Sequence, residues 1–252
     1  MASGCKLLTG KTAVITGCNR GIGKAILELF ASHGASIFAC VRREDAGFSE
    51  FTSRLAETWA VKIVPICFDM AKPDEIKSAA KQIAAFKKPV DVLVNNAGIG
   101  YSALFQMTPA NNLKEVFEVN FFGPFLFTQY LVKLMARRKS GNIINIASTA
   151  AIDGNAGKAA YGASKAALIC FTSVISSELA SSGIRANAIA PGMTDTDILV
   201  CLPEEVIPGN SQAGGTRKIM KPSEIAETAL FLASDLSANI SGQVIRVDGG
   251  LL

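Results

Sequence analysis

The chain has 252 residues, 49% of them hydrophobic and 18% charged, which suits one large domain with a covered core and excludes broad disorder. The net charge of +4 comes from scattered basic residues, the six cysteines form no CxxC pair and His33 is the single histidine, so neither a nucleic-acid partner nor a metal site is predicted. The amino terminus has no signal-peptide layout and no uninterrupted apolar run reaches about 18 residues, so we expect a cytoplasmic protein without a membrane span.

The first predicted strand, Thr12 to Thr16, leads directly into a glycine-rich turn. This turn, Gly17 to Gly23, has the sequence GCNRGIG and precedes a segment of helical periodicity that closes on Gly34. Backbone N–H groups at the start of such a helix bind phosphate, and glycines let the ligand approach the backbone. The strand–turn–helix order predicts a dinucleotide phosphate site, and a purely structural turn is the alternative.

The second predicted strand, Ala35 to Val41, carries the signal for the type of nucleotide. In dinucleotide-binding folds an acidic residue near the end of this strand holds the ribose hydroxyls. Val41 occupies that position here, and Arg42 and Arg43 follow it. Guanidinium groups bind phosphate through paired hydrogen bonds, and Arg20 of the glycine turn would approach from the other side. We therefore predict NADP(H) over NAD(H), against the alternative of two solvated arginines.

A third predicted strand, Val61 to Phe68, follows a helix at about Phe48 to Trp59. Asp69 comes directly after this strand, where a short acceptor would meet the amino group of adenine. Met70, next in the chain, is included among the predicted cofactor contacts. A solvated Asp turn is the alternative interpretation of Asp69.

The next predicted helix begins at Pro73, a residue suited to the first helical position, and extends to about Phe86. A strand at Val90 to Val94 follows and runs into Asn95-Asn96-Ala97-Gly98. Ligands of open α/β sheets bind at the carboxyl ends of the strands, which is where this polar cluster lies. The alternation of strands and helices implies a parallel sheet.

A long, largely helical segment covers residues 111–138 and is interrupted by Gly123-Pro124. Proline removes a donor and clashes with the preceding turn, so we expect a kink or a delayed restart near Asn120. A buried Asn120 must find partners, such as a backbone carbonyl or a water leading to Lys165, and a capped helix defect is the alternative. The basic residues 137–139 suit a helix C-terminus, and docking of an acidic carrier protein is a second interpretation.

A fifth predicted strand, Asn142 to Ala147, ends at Ser148, and the helix that follows carries Tyr161 and Lys165. Positions i and i+4 share one helix face, so the phenol and the ammonium lie side by side. A nearby cation lowers the pKa of a phenol, which makes Tyr161 a candidate proton shuttle for an alcohol or carbonyl oxygen. Ser148 would bond the same oxygen. The alternatives are a solvated helix face and an ordinary turn serine.

The last part of the chain contains a sixth strand at Arg185 to Ala190, a helix at Pro222 to Ser234 and a seventh strand at Gln243 to Val247. Between the sixth strand and that helix, Met193 to Gly215 is irregular, which is typical of a lid or substrate loop. No linker, repeat or low-complexity tract is present, so residues 1–252 are predicted to form a single domain.

Five linked motifs occur in the order seen in the short-chain dehydrogenase/reductase family, which essentially the whole chain resembles. They are Thr16-Gly17-(CNR)-Gly21-Ile22-Gly23, Asn95-Asn96-Ala97-Gly98, Asn120, Ser148 with Tyr161-(GAS)-Lys165, and Pro191-Gly192. The opening TGCNRGIGKAI and the ending FLASDLSANISGQVIRVDGG look most like those of 3-oxoacyl-[acyl-carrier-protein] reductases. Sugar, polyol and steroid dehydrogenases share both ends.

The resemblance implies a doubly wound three-layer α-β-α Rossmann fold with a mainly parallel seven-stranded sheet. It also implies a role for each matched residue. Tyr161 would be the general acid of carbonyl reduction, Lys165 would lower its pKa and bind the nicotinamide ribose, and Ser148 would bond the substrate oxygen. Asn120 would hold a water that links Lys165 to solvent. The implied NADP(H) contacts are Gly17, Asn19, Arg20, Gly21, Ile22 and Gly23 at the phosphates, Arg42, Asp69 and Met70 at the adenosine end, Asn95, Ala97 and Gly98 along the adenosine side, and Pro191, Gly192, Thr194 and Thr196 at the nicotinamide amide.

The same resemblance implies an NADPH-dependent oxidoreductase that reduces a ketone to a secondary alcohol, with a 3-oxoacyl-[acyl-carrier-protein] reductase of fatty acid biosynthesis as the leading expectation. A sugar, polyol or steroid alcohol dehydrogenase is the alternative within the family, and a non-catalytic dinucleotide-binding regulator is the alternative outside it. A complete Ser148–Tyr161–Lys165 set argues against the regulator. By analogy we expect a cytoplasmic homotetramer built partly from the helices within residues 111–138 and 161–181.

Overall fold

A sheet of seven parallel strands runs through the described part of the chain. The computed structural model describes residues 6–196 and 219–250. The strands are β1 Thr12–Thr16, β2 Ser36–Val41, β3 Ile63–Cys67, β4 Val92–Asn95, β5 Gly141–Ile146, β6 Ile184–Pro191 and β7 Val244–Val247. Their order across the sheet is β3-β2-β1-β4-β5-β6-β7, and every pairing is parallel. The predicted doubly wound α/β fold is confirmed.

Helices connect the strands and cover both faces of the sheet. The described helices are α1 Gly21–Ser32, α2 Ala46–Trp59, α3 Pro73–Ala85, α4 Ala110–Phe117, α5 Gly123–Ala136, α6 Ala150–Asp153, α7 Ala159–Glu178 and α8 Pro222–Ala233. Short 3₁₀ turns lie at Phe105–Met107, Ala180–Ser182 and Asp235–Ser237, and a π-helical turn lies at Glu118–Phe122. Helix α6 and these four turns are additional to the elements predicted from the sequence.

Two apolar cores hold the helices against the sheet. On one face Phe30 of α1 packs in the same cluster as Ile225 of α8. On the other face Ile83 of α3, Leu131 of α5 and Ile175 of α7 share a second cluster. Full burial of such a side chain contributes about 1.5–3 kcal/mol, so the cores fix the sheet edge that carries the loops.

The π-helical turn is the irregularity that Gly123-Pro124 predicts near Asn120. Pro124 lies in the first turn of α5, and the backbone is helical on both sides of that junction, so the proline withholds a hydrogen-bond donor from the turn before it. The irregular turn comes just before it, and Asn120 within that turn is fully buried. Gly123 is required by close packing, because a Cβ there would lie 2.3 Å from the carbonyl oxygen of Met70.

Helix α7 is the one described helix that is long and apolar enough to cross a membrane by length and composition. In this fold it packs against the sheet, and its buried residues include Ser164, Lys165, Leu168, Thr172 and Ile175. The core helix of a protein outside the membrane passes the same test, so the helix is weak evidence for a span. The expectation of no membrane span stays a prediction.

The segment after β6 is described only to residue 196, and the description resumes at residue 219. There the chain pairs with itself, since Asp195 N–H donates to the Met220 carbonyl oxygen at 2.9 Å and Met220 N–H to that of Met193 at 2.8 Å. The predicted substrate loop, residues 193–215, lies outside the described residues from position 197 onward. The single-domain prediction for residues 1–252 stays a prediction.

Candidate active site

The carboxyl ends of the strands bring most of the predicted site residues to one edge of the sheet. β1 is followed by Gly17, β4 by Asn96, and β6 ends at Pro191, while Ser148 comes shortly after β5. β1 pairs with β2 on one side and with β4 on the other, so the strand order reverses there. Doubly wound folds bind their ligands in the crevice at such a reversal.

Glycines shape the turn between β1 and α1. Gly17 and Gly21 have φ angles of 72° and 53°, a left-handed backbone that favours glycine. A Cβ on Gly23 would lie 2.1 Å from the carbonyl oxygen of Gly17, so a side chain does not fit. Asn19 and Arg20 are exposed, and Arg20 precedes α1 without a side-chain capping bond. The turn is therefore a backbone cradle at a helix N-terminus, which suits phosphate.

Thr16 and Asn96 brace this turn against the end of β4. The Thr16 hydroxyl accepts hydrogen bonds from the backbone N–H groups of Asn96 and Ala97, each at 2.9 Å. The Asn96 side-chain amide donates to the carbonyl oxygens of Thr16 at 2.8 Å and Gly17 at 3.2 Å. Neither Thr16 nor Asn96 is among the predicted cofactor residues, although both stand inside the motifs that carry the resemblance.

Two predicted cofactor residues, Asn95 and Met70, turn their side chains into the interior instead. The Asn95 amide donates to Thr128 Oγ1 and to Asn145 Oδ1, both at 2.8 Å. Met70 belongs to the apolar core and packs beneath Gly123. Because both side chains are buried, any contact that Asn95 or Met70 makes with a cofactor is restricted to main-chain atoms.

The end of β2 presents arginines at the predicted adenosine end of the crevice. Arg42 and Arg43 follow β2 and are exposed. Glu44, the next residue, accepts a hydrogen bond from Ser49 Oγ of α2 at 2.6 Å. This bond holds the carboxylate against the start of α2, and the predicted 2′-phosphate contact of Arg42 is compatible with that arrangement.

Asp69 lies in a turn two residues beyond β3. Its Oδ1 accepts from the Ala71 N–H at 2.9 Å, and its own N–H donates to Glu75 at 2.8 Å. The Asp turn that served as the alternative interpretation is therefore present. The adenine contact of Asp69 stays a prediction.

Asn120 fastens the segment after β4 to helix α7. Its Oδ1 accepts from the Ile99 N–H at 2.8 Å, and its Nδ2 donates to the Ile99 carbonyl oxygen at 3.0 Å and to Ser164 Oγ at 3.1 Å. A Cβ on Gly98 would lie 3.1 Å from Asn120 Oδ1 and 3.4 Å from Lys165 Nζ. Gly98 therefore lets the amide and the ammonium approach the same backbone.

Tyr161 and Lys165 share one face of α7, and the structure brings that face to the end of β5. Tyr161 is hydrogen-bonded to the Ser148 side chain. Lys165 Nζ lies 6.0 Å from the centroid of the Tyr161 ring and donates to the Ile146 carbonyl oxygen at 2.7 Å. Ser164 donates to the Tyr161 carbonyl oxygen at 2.7 Å. Ser164 is absent from the predicted set, although its position three residues after Tyr161 on the helix was a usable signal.

Burial is the main cause of the pKa shifts of Tyr161 and Lys165. Burial raises the pKa of Tyr161, and the hydrogen bond with Ser148 lowers that pKa by less. Burial also lowers the pKa of Lys165 to about 8. The expected lowering of the phenol pKa by the ammonium is therefore not found, because a low-dielectric site disfavours the charged form of both groups. A phenol held neutral carries the proton that a general acid has to donate.

The segment after β6 closes the crevice opposite the glycine turn. Pro191 ends β6, and Thr194 Oγ1 donates to the Gly192 carbonyl oxygen at 3.0 Å. A Cβ on Gly21 would lie 3.1 Å from Thr196 Cγ2, so Thr196 reaches the glycine turn. Of the residues predicted at the nicotinamide end, Thr196 therefore contacts the glycine turn.

An ion-pair network at the edge strand braces the loop that follows Ser148. The Arg246 guanidinium of β7 donates to both carboxylate oxygens of Asp153, at 2.7 and 2.9 Å, and to Asp248 at 2.8 Å. Asp153 ends α6, and a Cβ on Gly192 would lie 2.7 Å from that of Asp248. Arg246 thus ties the loops after β5 and β7 together, and Asp248 in turn packs against Gly192 after β6.

The basic residues 137–139 lie at the opposite edge of the sheet. Arg138 is 3.6 Å from Asp91, which precedes β4, and residues 137–139 precede β5. Ser148 follows the other end of β5, a separation of about 20 Å at 3.3 Å per residue. Docking of an acidic carrier protein on residues 137–139 stays a prediction.

The residue set at the carboxyl edge fits a dinucleotide. The glycine cradle accepts no side chain, and backbone at a helix N-terminus is the partner that a phosphate pair needs. Within residues 6–196 and 219–250 no group of three or more His, Cys, Asp or Glu residues could hold a metal ion. Phosphate binding at the cradle and proton transfer at Tyr161 are the two chemical capacities of this edge.

Known proteins with related sequences share nearly the whole length of the chain. Residues 11–206 match the short chain dehydrogenase family. The 3-oxoacyl-[acyl-carrier-protein] reductase FabG of Thermotoga maritima is 38% identical over 246 residues, 97% of this chain and 99% of that protein. FabG of Aquifex aeolicus is 34% identical over 244 residues, 97% of this chain and 98% of that protein. The 3-oxoacyl-[acyl-carrier-protein] reductase of Synechocystis sp. is 38% identical over 250 residues, again 97% and 98%. With the fold, the motif order and these relatives in agreement, the chain belongs to the short chain dehydrogenase family.

Proposed function

We propose that this protein is an NADPH-dependent reductase that converts a ketone into a secondary alcohol, and that it acts on 3-oxoacyl groups carried by an acyl carrier protein in fatty acid biosynthesis. The observation that carries the proposal is the meeting of the Tyr161 phenol, the Ser148 hydroxyl and the Lys165 ammonium at the sheet edge that also holds the glycine turn. The relatives named 3-oxoacyl-[acyl-carrier-protein] reductases support the substrate.

Tyr161 is the proton donor of this reaction. NADPH, when bound, supplies the hydride to the carbonyl carbon. The carbonyl oxygen gains negative charge as the reaction proceeds, and Tyr161 transfers its phenolic proton to it. Ser148, already hydrogen-bonded to Tyr161, bonds the same oxygen and fixes its direction. Burial keeps the phenol neutral, which is the starting form that the reduction requires.

Lys165 and Asn120 help to replace the proton that Tyr161 donates to the substrate. The pKa of Lys165, lowered to about 8, lies close enough to neutrality for its ammonium to exchange protons during turnover. The Asn120 side chain is bonded to Ile99 and Ser164, so it acts by positioning the backbone beside Lys165. A water that links Lys165 to solvent would then meet Asn120 at its main chain.

The cofactor is held from both ends of the crevice. The turn Gly17–Gly23 would cradle the phosphates, with Ile22 and the exposed Asn19 and Arg20 on the same turn. Arg42 would bind the 2′-phosphate that distinguishes NADPH from NADH. The remaining contacts would come from the turn at Asp69 and Met70, from Asn95, Ala97 and Gly98, and from Pro191, Gly192, Thr194 and Thr196.

The protein works as a cytoplasmic homotetramer in this proposal. Exposed aromatic and aliphatic side chains on α5 and α7 support an interface between subunits, since Phe125 and Val174 are 39% and 48% exposed. Phe125 also packs against Phe171 of α7 with ring centroids 5.0 Å apart, so the two helices present one continuous apolar surface.

Turnover of acetoacetyl-N-acetylcysteamine, a neutral 3-oxoacyl thioester, tests the function through loss of NADPH absorbance. Wild type is expected to consume NADPH, and Tyr161→Phe is expected to lower kcat by about 10²- to 10⁴-fold because it has no proton to give. The dissociation constant of NADPH, measured by fluorescence, should change less than about threefold. Tyr130→Phe, on α5, is the matched control and should retain wild-type kcat. Near-normal kcat in Tyr161→Phe contradicts the proposed role.

A second arm of the same assay replaces NADPH with NADH. Wild type should prefer NADPH, and Arg42→Asp should reduce that preference by at least about tenfold because a carboxylate repels the 2′-phosphate. Arg54→Asp, on the exposed side of α2, makes the same charge change away from the strand ends and should leave the preference unchanged. A wild type that prefers NADH disproves the cofactor assignment.

A further inference from the structure

A second lysine lies as close to Tyr161 as Lys165 does. Lys158 immediately precedes α7 and stands three residues before Tyr161. Its Nζ lies 5.8 Å from the centroid of the Tyr161 ring, against 6.0 Å for Lys165 Nζ. The phenol that donates the proton therefore has two ammonium groups within cation–π range.

The two lysines occupy different surroundings. Lys165 is 4% exposed and donates to the carbonyl oxygen of Ile146 in β5, so it lies on the side of the sheet. Lys158 is only partly buried, and its Nζ donates to Ser102 Oγ at 2.5 Å. Lys165 therefore lies in the interior, and Lys158 lies nearer the surface, beside Ser102.

Hydrogen bonds hold both the main chain and the side chain of Lys158 in place. Ser102 belongs to the segment that follows Gly98, and this segment is clamped to the loop before α7 by the hydrogen bond from Ala103 N–H to the Gly157 carbonyl oxygen at 3.0 Å. The Lys158 carbonyl oxygen also accepts from the Gly162 N–H at 2.6 Å in the first turn of α7. Backbone and side chain are therefore both held, so the ammonium loses little further freedom when a substrate binds.

A cation 5.8 Å from the centre of the Tyr161 ring has a suitable partner in one class of ketone. A 3-oxoacyl thioester carries a second carbonyl, separated from the reacting one by a single methylene. When Tyr161 and Ser148 hold the first oxygen, the second oxygen must lie within a few ångströms of them. A hydrogen bond from an ammonium to such an oxygen is stronger than one between neutral groups.

We propose that Lys158 binds the second carbonyl oxygen of a 1,3-dicarbonyl substrate and thereby selects 3-oxoacyl thioesters over isolated ketones. The inference rests on the proposed function and sharpens it, because Tyr161 and Ser148 account for reduction of any ketone and do not distinguish these two classes. Lys158 is a specificity residue in this account, and Lys165 is not replaced by it.

Substrate discrimination by Lys158→Met tests the inference. This variant keeps the length of the side chain and removes its charge and donors. With acetoacetyl-N-acetylcysteamine, kcat/KM is expected to fall about tenfold to hundredfold, the range for loss of a hydrogen bond to a charged group. With 2-pentanone, which lacks the second carbonyl, kcat/KM should change less than about threefold. Lys158→Arg restores a cation and should recover a large part of the thioester activity.

The chain offers a matched control on α5. Lys133 Nζ lies 5.7 Å from the centroid of the Tyr130 ring, so Lys133→Met removes the same kind of cation–ring contact in the last turn of another helix. The Lys133→Met variant should leave kcat/KM unchanged with both substrates. The midpoint of thermal unfolding and the dissociation constant of NADPH should be unaltered in all three variants.

Two results overturn the inference while leaving the proposed function standing. Equal losses with both substrates in Lys158→Met would mean that the lysine acts through Tyr161 and not on the substrate. No loss of kcat/KM with either substrate in Lys158→Met would mean that Lys158 contacts neither the substrate nor Tyr161 in a way that affects turnover. A wild type that reduces no ketone at all would overturn the proposed function and the inference together.

Discussion

Asn120 and Asn145 are both fully buried asparagines, and each donates its side-chain amide to a hydroxyl group of helix α7. Asn120 donates to Ser164 at 3.1 Å, and Asn145 donates to Thr172 at 2.8 Å, two turns further along the helix. Their other partners differ. Asn120 bonds the backbone N–H and carbonyl oxygen of Ile99, whereas Asn145 accepts from the side chain of Asn95.

The difference separates a residue that fixes a loop from one that fixes a framework. Asn120 holds an irregular backbone segment beside Lys165. Its loss removes the described hydrogen-bond partner of the Ile99 N–H and carbonyl oxygen. Asn145 joins β5 to β4 and to α7, elements that backbone ladders and apolar packing already hold together. Identical side-chain chemistry therefore has different consequences, which depend on how many other contacts fix the partner.

Asn120→Leu is expected to have the largest effect. It leaves the Ile99 N–H and carbonyl oxygen without their present partner, which costs about 1–3 kcal/mol for each unsatisfied group, while Ser164 still donates to the Tyr161 carbonyl oxygen. We expect the free energy of unfolding to fall by about 4 kcal/mol and kcat to fall by about a hundredfold. Urea unfolding and the NADPH assay measure the two quantities. Full activity in a destabilised protein would show that Asn120 has no positioning role.

The pH dependence of stability should report the buried ammonium next to Asn120. Lys165 has a pKa of about 8 in the fold against an ordinary value near 10.5, so between these pH values only the unfolded chain holds the proton. Stability should therefore rise with pH in that window, because the unfolded state binds more protons there. Below about pH 8 Lys165 is charged in both states, and the full penalty of burying the charge applies.

Two variants isolate this effect. Tyr161→Phe serves as the host, because the raised pKa of Tyr161 gives the opposite slope above about pH 10. We expect the stability advantage of Tyr161→Phe/Lys165→Met over Tyr161→Phe to shrink by about 2–3 kcal/mol between pH 7 and pH 10. Urea unfolding across that range gives the measurement, and a difference that stays constant with pH would contradict a buried, depressed lysine.

Asn145→Leu should have the smallest effect. Thr172 still donates to the Leu168 carbonyl oxygen at 2.7 Å, and Asn95 still donates to Thr128 at 2.8 Å, so few groups are left unsatisfied. The free energy of unfolding should fall by about 1–2 kcal/mol, and kcat should stay within about twofold of wild type. A loss of activity comparable to that of Asn120→Leu would remove the distinction between the two asparagines.

The sequence carries most of the fold because the strands are short apolar runs bounded by clear punctuation. Glycine after β1 and Pro73 at the start of α3 mark element ends with local physics alone. Pro124 also placed the break before α5 near Asn120, where the π-turn lies. The sequence does not show what this turn packs against, because the contact between Gly123 and Met70 joins residues distant in sequence.

The candidate site divides in the same way. Tyr161, Ser164 and Lys165 lie on one helix face, so spacing alone groups them. Asn95 and Asn96 are adjacent in the chain, yet one side chain enters the core and the other braces the glycine turn. A strand places alternate side chains on opposite faces, but which face is the interior depends on the helices packed there. The direction in which the pKa of Tyr161 shifts also cannot be predicted from the sequence, because it depends on how deeply the side chain is buried.

The wide turn at Glu118–Phe122 has a consequence for how this chain can change. A π-turn takes up one residue more than an α-helical turn, so it absorbs an extra residue between α4 and α5 without turning α5 away from the sheet. Loss of a single residue there would let the segment close into regular α-helix, with Phe127 and Leu131 still facing their core but Asn120 displaced from Ile99. The fold can therefore tolerate a shorter segment here, whereas the contact that holds the backbone beside Lys165 cannot.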